Sequence, residues 1–141
     1  MTTSAIRRMI ELSGAEALWL LEGATRGRLV YTARDLTAVR PAAHVLEYGR
    51  LIVRAPAPAG ALADAVTVTY EADEISPATG TGWLVTTTGP AEVITVPDEA
   101  AHYRRTLWGW THGPHDTVLR IHPKAVQGYR LAHSADPPGA G

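Results

Sequence analysis

The chain has 141 residues, with 13 basic against 14 acidic side chains and a formal net charge of -1, so it carries one domain's worth of core and no bulk charge to attract nucleic acid or anionic membrane. It has no cysteine, which removes disulfides, thiolate nucleophiles and zinc–thiolate sites. No apolar run approaches the roughly 20 residues that span a bilayer, and the first ten residues lack the layout of a signal peptide, so a cytoplasmic protein without membrane partners is expected.

The N-terminal residues 1–10 read as a flexible tail. Ser13 and Glu16 then have the spacing of a capping box, which starts a helix by satisfying its first backbone N–H groups. Ala17, Leu18 and Leu21, with Trp19 beside them, supply an apolar face, and Gly23 ends the helix. From there to residue 96 the chain reads as β-structure, with strands expected at 28–33, 39–48, 51–55, 65–74 and 82–96, rich in Val, Ile, Thr and Tyr. Turn signals separate them at Asp35, at Tyr48-Gly49 and through Ser76, Pro77 and Gly80. In the fourth strand Val66, Val68, Tyr70 and Ala72 alternate with Thr67, Thr69, Glu71 and Asp73, which directs one set to a core.

Pro97, Asp98 and Glu99 followed by Arg104 and Arg105 suit the two ends of a helix dipole, and that helix should stop near Gly109. Two strands at 117–122 and 127–132 complete the order, before a second flexible tail at 133–141. Six or seven short strands with few helices predict a mainly β fold in a single domain, a barrel or a sandwich.

Several segments resemble the pyridoxamine 5'-phosphate oxidase-like flavoproteins, in particular the nitroimidazole-resistance-type branch. The clearest are Tyr70-Glu71-Ala72-Asp73-Glu74-Ile75 and Thr79-Gly80-Thr81-Gly82-Trp83-Leu84-Val85. Gly27-Arg28-Leu29-Val30, Val39-Arg40-Pro41, Leu107-Trp108-Gly109-Trp110 and Gly113-Pro114-His115-Asp116 follow the same order along the chain. The resemblance implies a six-stranded antiparallel split barrel that forms a homodimer, with flavin mononucleotide (FMN) in clefts between the subunits and a small organic substrate. It also implies that Arg54, Ala55 and Leu62 lie around the flavin phosphate, although Ala55 stands where a hydroxyl residue is usual and Ala61 where a lysine is common.

The candidate cofactor-binding residues are Arg40, Pro41, Ala42, Ala43, His44, Arg54, Ala55, Leu62, Trp83, Trp108 and Trp110. Each has a plainer reading beside the functional one. Arg40 and Arg54 can fork onto a phosphate or remain solvated surface residues. Trp83 can stack on a flat heterocycle or fill the core, and Trp108 and Trp110 can cover a site or pack an interface. His44 can donate to a ligand or serve as a hydrogen-bonded structural histidine. His112, His115 and Asp116 have ligand-like spacing but no helix to align them, so no metal is assigned. Glu71 and Asp73 share a strand face, as paired carboxylates or as a hydrated surface. No catalytic side chain is assigned, and no hydrolase or kinase motif occurs. The function expected is a flavin-dependent oxidoreductase; the alternative is a module that binds flavin, deazaflavin or haem without turnover.

Overall fold

The structure is a computed structural model that describes residues 6–63 and 66–133. Its strands are β1 (Arg7–Leu12), β2 (Arg26–Ala33), β3 (Leu36–Glu47), β4 (Arg50–Ala55), β5 (Thr67–Ile75), β6 (Gly82–Val93), β7 (Thr117–Ile121) and β8 (Ala125–His133). The helices are α1 (Gly14–Gly23) and α2 (Pro97–Thr106), with a single 3-10 turn at Ala59–Leu62.

Short turns force neighbouring strands to run antiparallel. Arg34 and Asp35 both adopt positive φ between β2 and β3, as do Tyr48 and Gly49 between β3 and β4. That is the geometry of two-residue hairpin turns whose twist matches the sheet. All the strand pairings are antiparallel, and the sheet runs β1-β8-β6-β5-β2-β3-β4-β7. A further pairing of β6 with β7 closes β6, β5, β2, β3, β4 and β7 into a six-stranded barrel, from which β8 and β1 extend.

Closure depends on β6 changing partner along one edge. Its first half pairs with β8, from Gly82↔Leu131 to Thr88↔Ala125, and its end pairs with β7, from Ala91↔Ile121 to Val93↔Leu119. At the changeover His122 donates its N–H to Pro90 O, at 3.0 Å, and Lys124 donates to Thr88 O, at 2.9 Å. Gly89 fits between them because it has no side chain: a Cβ there would lie 1.9 Å from His122 O.

The expected strand alternation holds through β5, where Val68, Tyr70 and Ala72 face the core with Leu29, Tyr31, Leu51, Val53, Val85 and Ile121. Full burial of each aliphatic member contributes about 1.5–3 kcal/mol. Ser13 caps α1 by accepting the Glu16 N–H at 3.1 Å, and the helix buries Ala17 and Leu21. Gly128 of β8 admits it, since a Cβ there would meet Ala17 Cβ at 2.6 Å. Helix α2 covers the outside of the barrel, packing Ala100, Tyr103 and Leu107 on Ala43, Ile52 and Val118.

Two expectations need correction. Residues 7–10, read as tail, belong to a strand, because the free edge of β8 offers a full ladder from Arg7↔His133 to Leu12↔Gly128. The strand expected to run to residue 96 stops at Val93, where Ile94 donates its N–H to Val118 O at 2.9 Å and the chain turns toward α2. The ends of both expected tails, residues 1–5 and 134–141, lie outside the described residues.

Crowding at the changeover leaves no room for a side chain at residue 89. Gly89→Ala should cost about 1–3 kcal/mol by overpacking, whereas Gly60→Ala, with nothing within 4 Å of the added carbon, should stay within about 0.5 kcal/mol. Urea denaturation of both variants checks the difference.

Candidate functional site

Where β3 passes the start of β2, at Arg26↔Ala43, and packs under the end of α2, a cleft of ≈ 330 Å³ opens. Thr25, Arg26, Ala43, His44, Val45, Thr106, Leu107 and Trp108 line it. Three of the sequence candidates, Ala43, His44 and Trp108, therefore come together. Its wall is mainly apolar, with the exposed indole of Trp108 at its edge.

His44 forms one side and is buried. Its Nε2 lies 2.8 Å from Leu21 O and its Nδ1 lies 2.5 Å from the Tyr70 hydroxyl. A carbonyl only accepts, so Nε2 carries the hydrogen; in the neutral ring Nδ1 then accepts from the Tyr70 O–H. Burial lowers the His44 pKa from its usual 6.5, partly offset by the backbone hydrogen bonds, and keeps the ring neutral. Burial likewise pushes the Tyr70 hydroxyl far above its ordinary range. Both ring nitrogens are thus occupied in joining α1 to the barrel, which leaves His44 no free N–H for a ligand.

The other side is held by Arg54. It pairs with Ala43 across β3 and β4 and points toward the end of α2. Its Nε and Nη2 donate to the two carboxylate oxygens of Asp116 at 3.0 and 2.9 Å. Its Nη1 donates to Arg104 O and Leu107 O at 2.9 and 2.8 Å. Arg104 adds a hydrogen bond to Asp116 O at 2.8 Å. The hydrogen bond from Arg54, aided by the Arg54 and Arg104 charges and opposed by burial, lowers the Asp116 pKa. The same hydrogen bond raises the Arg54 pKa. Gly109 allows this close fit, because a Cβ there would sit 2.3 Å from the guanidinium carbon. The clamp is a bidentate ion pair that also satisfies carbonyls left open at a helix end.

The remaining candidates lie elsewhere. Ala42, Ala55 and Leu62 are fully enclosed in the core, so a ligand could meet only their backbone. Arg40 donates to Val39 O at 2.9 Å and its guanidinium stands 6.0 Å from the Tyr31 ring centroid, beside exposed Pro41. Trp83 lines a second groove with Trp19, and Trp110 is exposed on the loop after α2. His112 and His115 join through their backbones in a turn, while the Asp116 carboxylate is given to Arg54. Glu71 and Asp73 form ion pairs with Arg28 at 3.9 and 2.6 Å.

Sequence reading missed Arg26, which lines the cleft and makes no ion pair or side-chain hydrogen bond among the described residues. Nothing local marks it out; only the fold shows that its neighbour Arg28 is spent on acidic partners and Arg54 on Asp116. Apolar walls, an indole and a free guanidinium together suit a flat heterocycle with an anionic tail.

These features define a split β-barrel with an apolar cleft on its flank, an architecture with known counterparts. The FAD binding protein from Mycobacterium smegmatis has 24% identity and a TM-score of 0.65, over 89% of this chain and 98% of that one. An FAD-binding protein from Mesorhizobium loti has 18% identity and a TM-score of 0.65, over 92% and 99%. Residues 13–130 match the pyridoxamine 5'-phosphate oxidase family, and the chain belongs to that family. A Mycobacterium tuberculosis (strain H37Rv) relative, Rv0080, is 38% identical over 144 residues, spanning 94% of this chain and 91% of its own length.

The His44 network sets a pH dependence. Because the folded pKa lies below the unfolded value of 6.5, the unfolded chain binds the proton more readily, so this contribution to stability is complete above about pH 6.5 and declines as pH falls toward the folded value. His44→Gln should flatten that part of the stability–pH curve. Tyr70→Phe, which strands Nδ1 without its donor, should cost about 1–3 kcal/mol; thermal melts across pH 5–8 check both on a scale of about that range.

Proposed function

We propose that this protein binds FMN at the Ala43–His44–Trp108 cleft as a homodimer and uses it as an oxidoreductase on a small organic substrate. The observation that carries the reading is the pairing of Arg26, free of ion pairs among the described residues, with the apolar, Trp108-edged cleft. Family membership supports flavin as the planar ligand, as do the fold neighbours described as FAD-binding. Arg26 would take the anionic tail, while Ala43, Val45 and Trp108 would place the ring. A bound flavin would supply hydride or electron transfer, leaving the protein the tasks of positioning and excluding water.

A cleft of ≈ 330 Å³ stands at the low end of small-molecule sites, about 300–1,000 Å³, which favours completion by a second copy. So does the outer face of β3, where Val39 is 50% exposed and α2 provides no cover. Sedimentation velocity should give twice the mass of one chain, and Val39→Glu should shift the protein toward monomer. A monomeric wild type would contradict the dimer.

Flavin binding is tested by titration with FMN and with riboflavin, which lacks the phosphate. Arg26→Ala should weaken FMN by about tenfold or more and riboflavin far less. Equal losses would remove Arg26 from the phosphate, and no FMN binding by the wild type would overturn the proposal.

One observation favours the alternative of a binding module for flavin, deazaflavin or haem: Arg54, the basic residue that the family resemblance places at the phosphate, is fully engaged by Asp116 and two carbonyls. Bleaching of the bound flavin's absorption by a reduced nicotinamide supports turnover. A bound flavin that stays oxidised supports the module.

A further inference from the structure

We propose a second binding site, specific for a small organic cation of the alkylammonium or guanidinium type, in the groove between α1 and the end of the β5–β6 hairpin. Trp19, Leu20, Glu22, Gly23, Glu74 and Trp83 line this groove of ≈ 290 Å³. Each wall contributes one indole and one carboxylate. On α1, Trp19 and Glu22 are three residues apart and so share a helix face. On the sheet, Glu74 and Trp83 are direct partners across β5 and β6, so their side chains project from one face.

The two indoles differ in a useful way. Trp83 is 9% exposed and anchored in the core, while Trp19 is 73% exposed and leaves a large apolar surface in water. A ring face attracts a cation through its quadrupole, and does so more strongly when the ion is partly desolvated between surfaces. Neither Glu22 nor Glu74 makes an ion pair or side-chain hydrogen bond among the described residues. Asp73, one residue away on the opposite face, is by contrast satisfied by Arg28 at 2.6 Å.

Neighbouring cations do not neutralise the groove. Arg26 lines an adjoining cleft with Glu74 but forms no ion pair with it. Arg130, opposite Trp83 on β8, does not line the groove. A neutral ligand would gain the apolar contact only, and an anion would face two uncompensated carboxylates. The charge and the aromatic surfaces therefore select the same class of ligand. The groove shares no lining residue with the proposed flavin cleft, and neither proposal depends on the other.

The test uses the full chain and follows the indole N–H resonances of its four tryptophans by NMR, with benzyltrimethylammonium as probe and benzyl alcohol as the neutral control. Millimolar benzyltrimethylammonium should shift the Trp19 and Trp83 signals saturably while those of Trp108 and Trp110 stay in place. Benzyl alcohol should move them much less. Replacing both carboxylates, Glu22→Gln with Glu74→Gln, removes exposed charges without touching the core and should weaken binding about tenfold. Asp98→Asn, on the far helix, should leave it unchanged. The proposal is overturned by an absence of shifts, by an equal response to the alcohol, or by undiminished affinity in a folded double-glutamine variant.

Discussion

The strand β6 has to serve two partners on the same edge, β8 along its first half and β7 at its end. An antiparallel ladder can change partner in this way only where the two incoming strands diverge, and backbone must then approach backbone closely. Gly89 and Pro90 meet that requirement, with His122 and Lys124 bonded on either side. Closure at this point pairs β7 on both edges, with β4 and β6, and gives β6 a partner on each side, so neither strand is left as an edge of the barrel. It also brings β4 beside β7, from Leu51↔Ile121 to Ala55↔Thr117, and thereby sets Arg54 within reach of Asp116.

Two polar devices then hold the cleft from opposite sides. On one, His44 bridges the end of α1 and the barrel interior through Leu21 and Tyr70. On the other, Arg54 fastens the end of α2 and the following loop to β4. Both sets of groups are partly or wholly withdrawn from water, where an unpaired member would cost more than a completed pair contributes. Their saturation explains why the reactive-looking residues of this region are structural. What remains available for a ligand is the exposed Trp108, the apolar side of β3 and the guanidinium of Arg26.

The fold was legible to the extent that it is written in local chemistry. The alternation of β5, the hairpin turns at Asp35 and Tyr48-Gly49, and the Ser13 cap each act over a few residues, and each appears where the pattern places it. Strand β1 was not legible, since Arg7, Arg8 and Glu11 in an exposed edge strand resemble a solvated tail; only the vacant edge of β8 organises them. The candidate site was legible in part. Ala43, His44 and Trp108 converge because β3 and the loop after α2 meet in space, whereas Arg54 has its partner 62 residues away, beyond the reach of any local pattern. Tyr70 looked like an ordinary core residue of an alternating strand, and its hydroxyl acquires a role only because His44 lies beside it.

The proposed flavin ring would rest against β3 beneath Trp108. Amide hydrogen exchange with and without saturating FMN addresses this placement directly. The account predicts added protection concentrated at Ala43, His44 and Val45 and at Leu107 and Trp108, with the Trp19–Trp83 groove unchanged. Protection confined to other surfaces, with β3 and the α2 loop unaffected while flavin is bound, would contradict it.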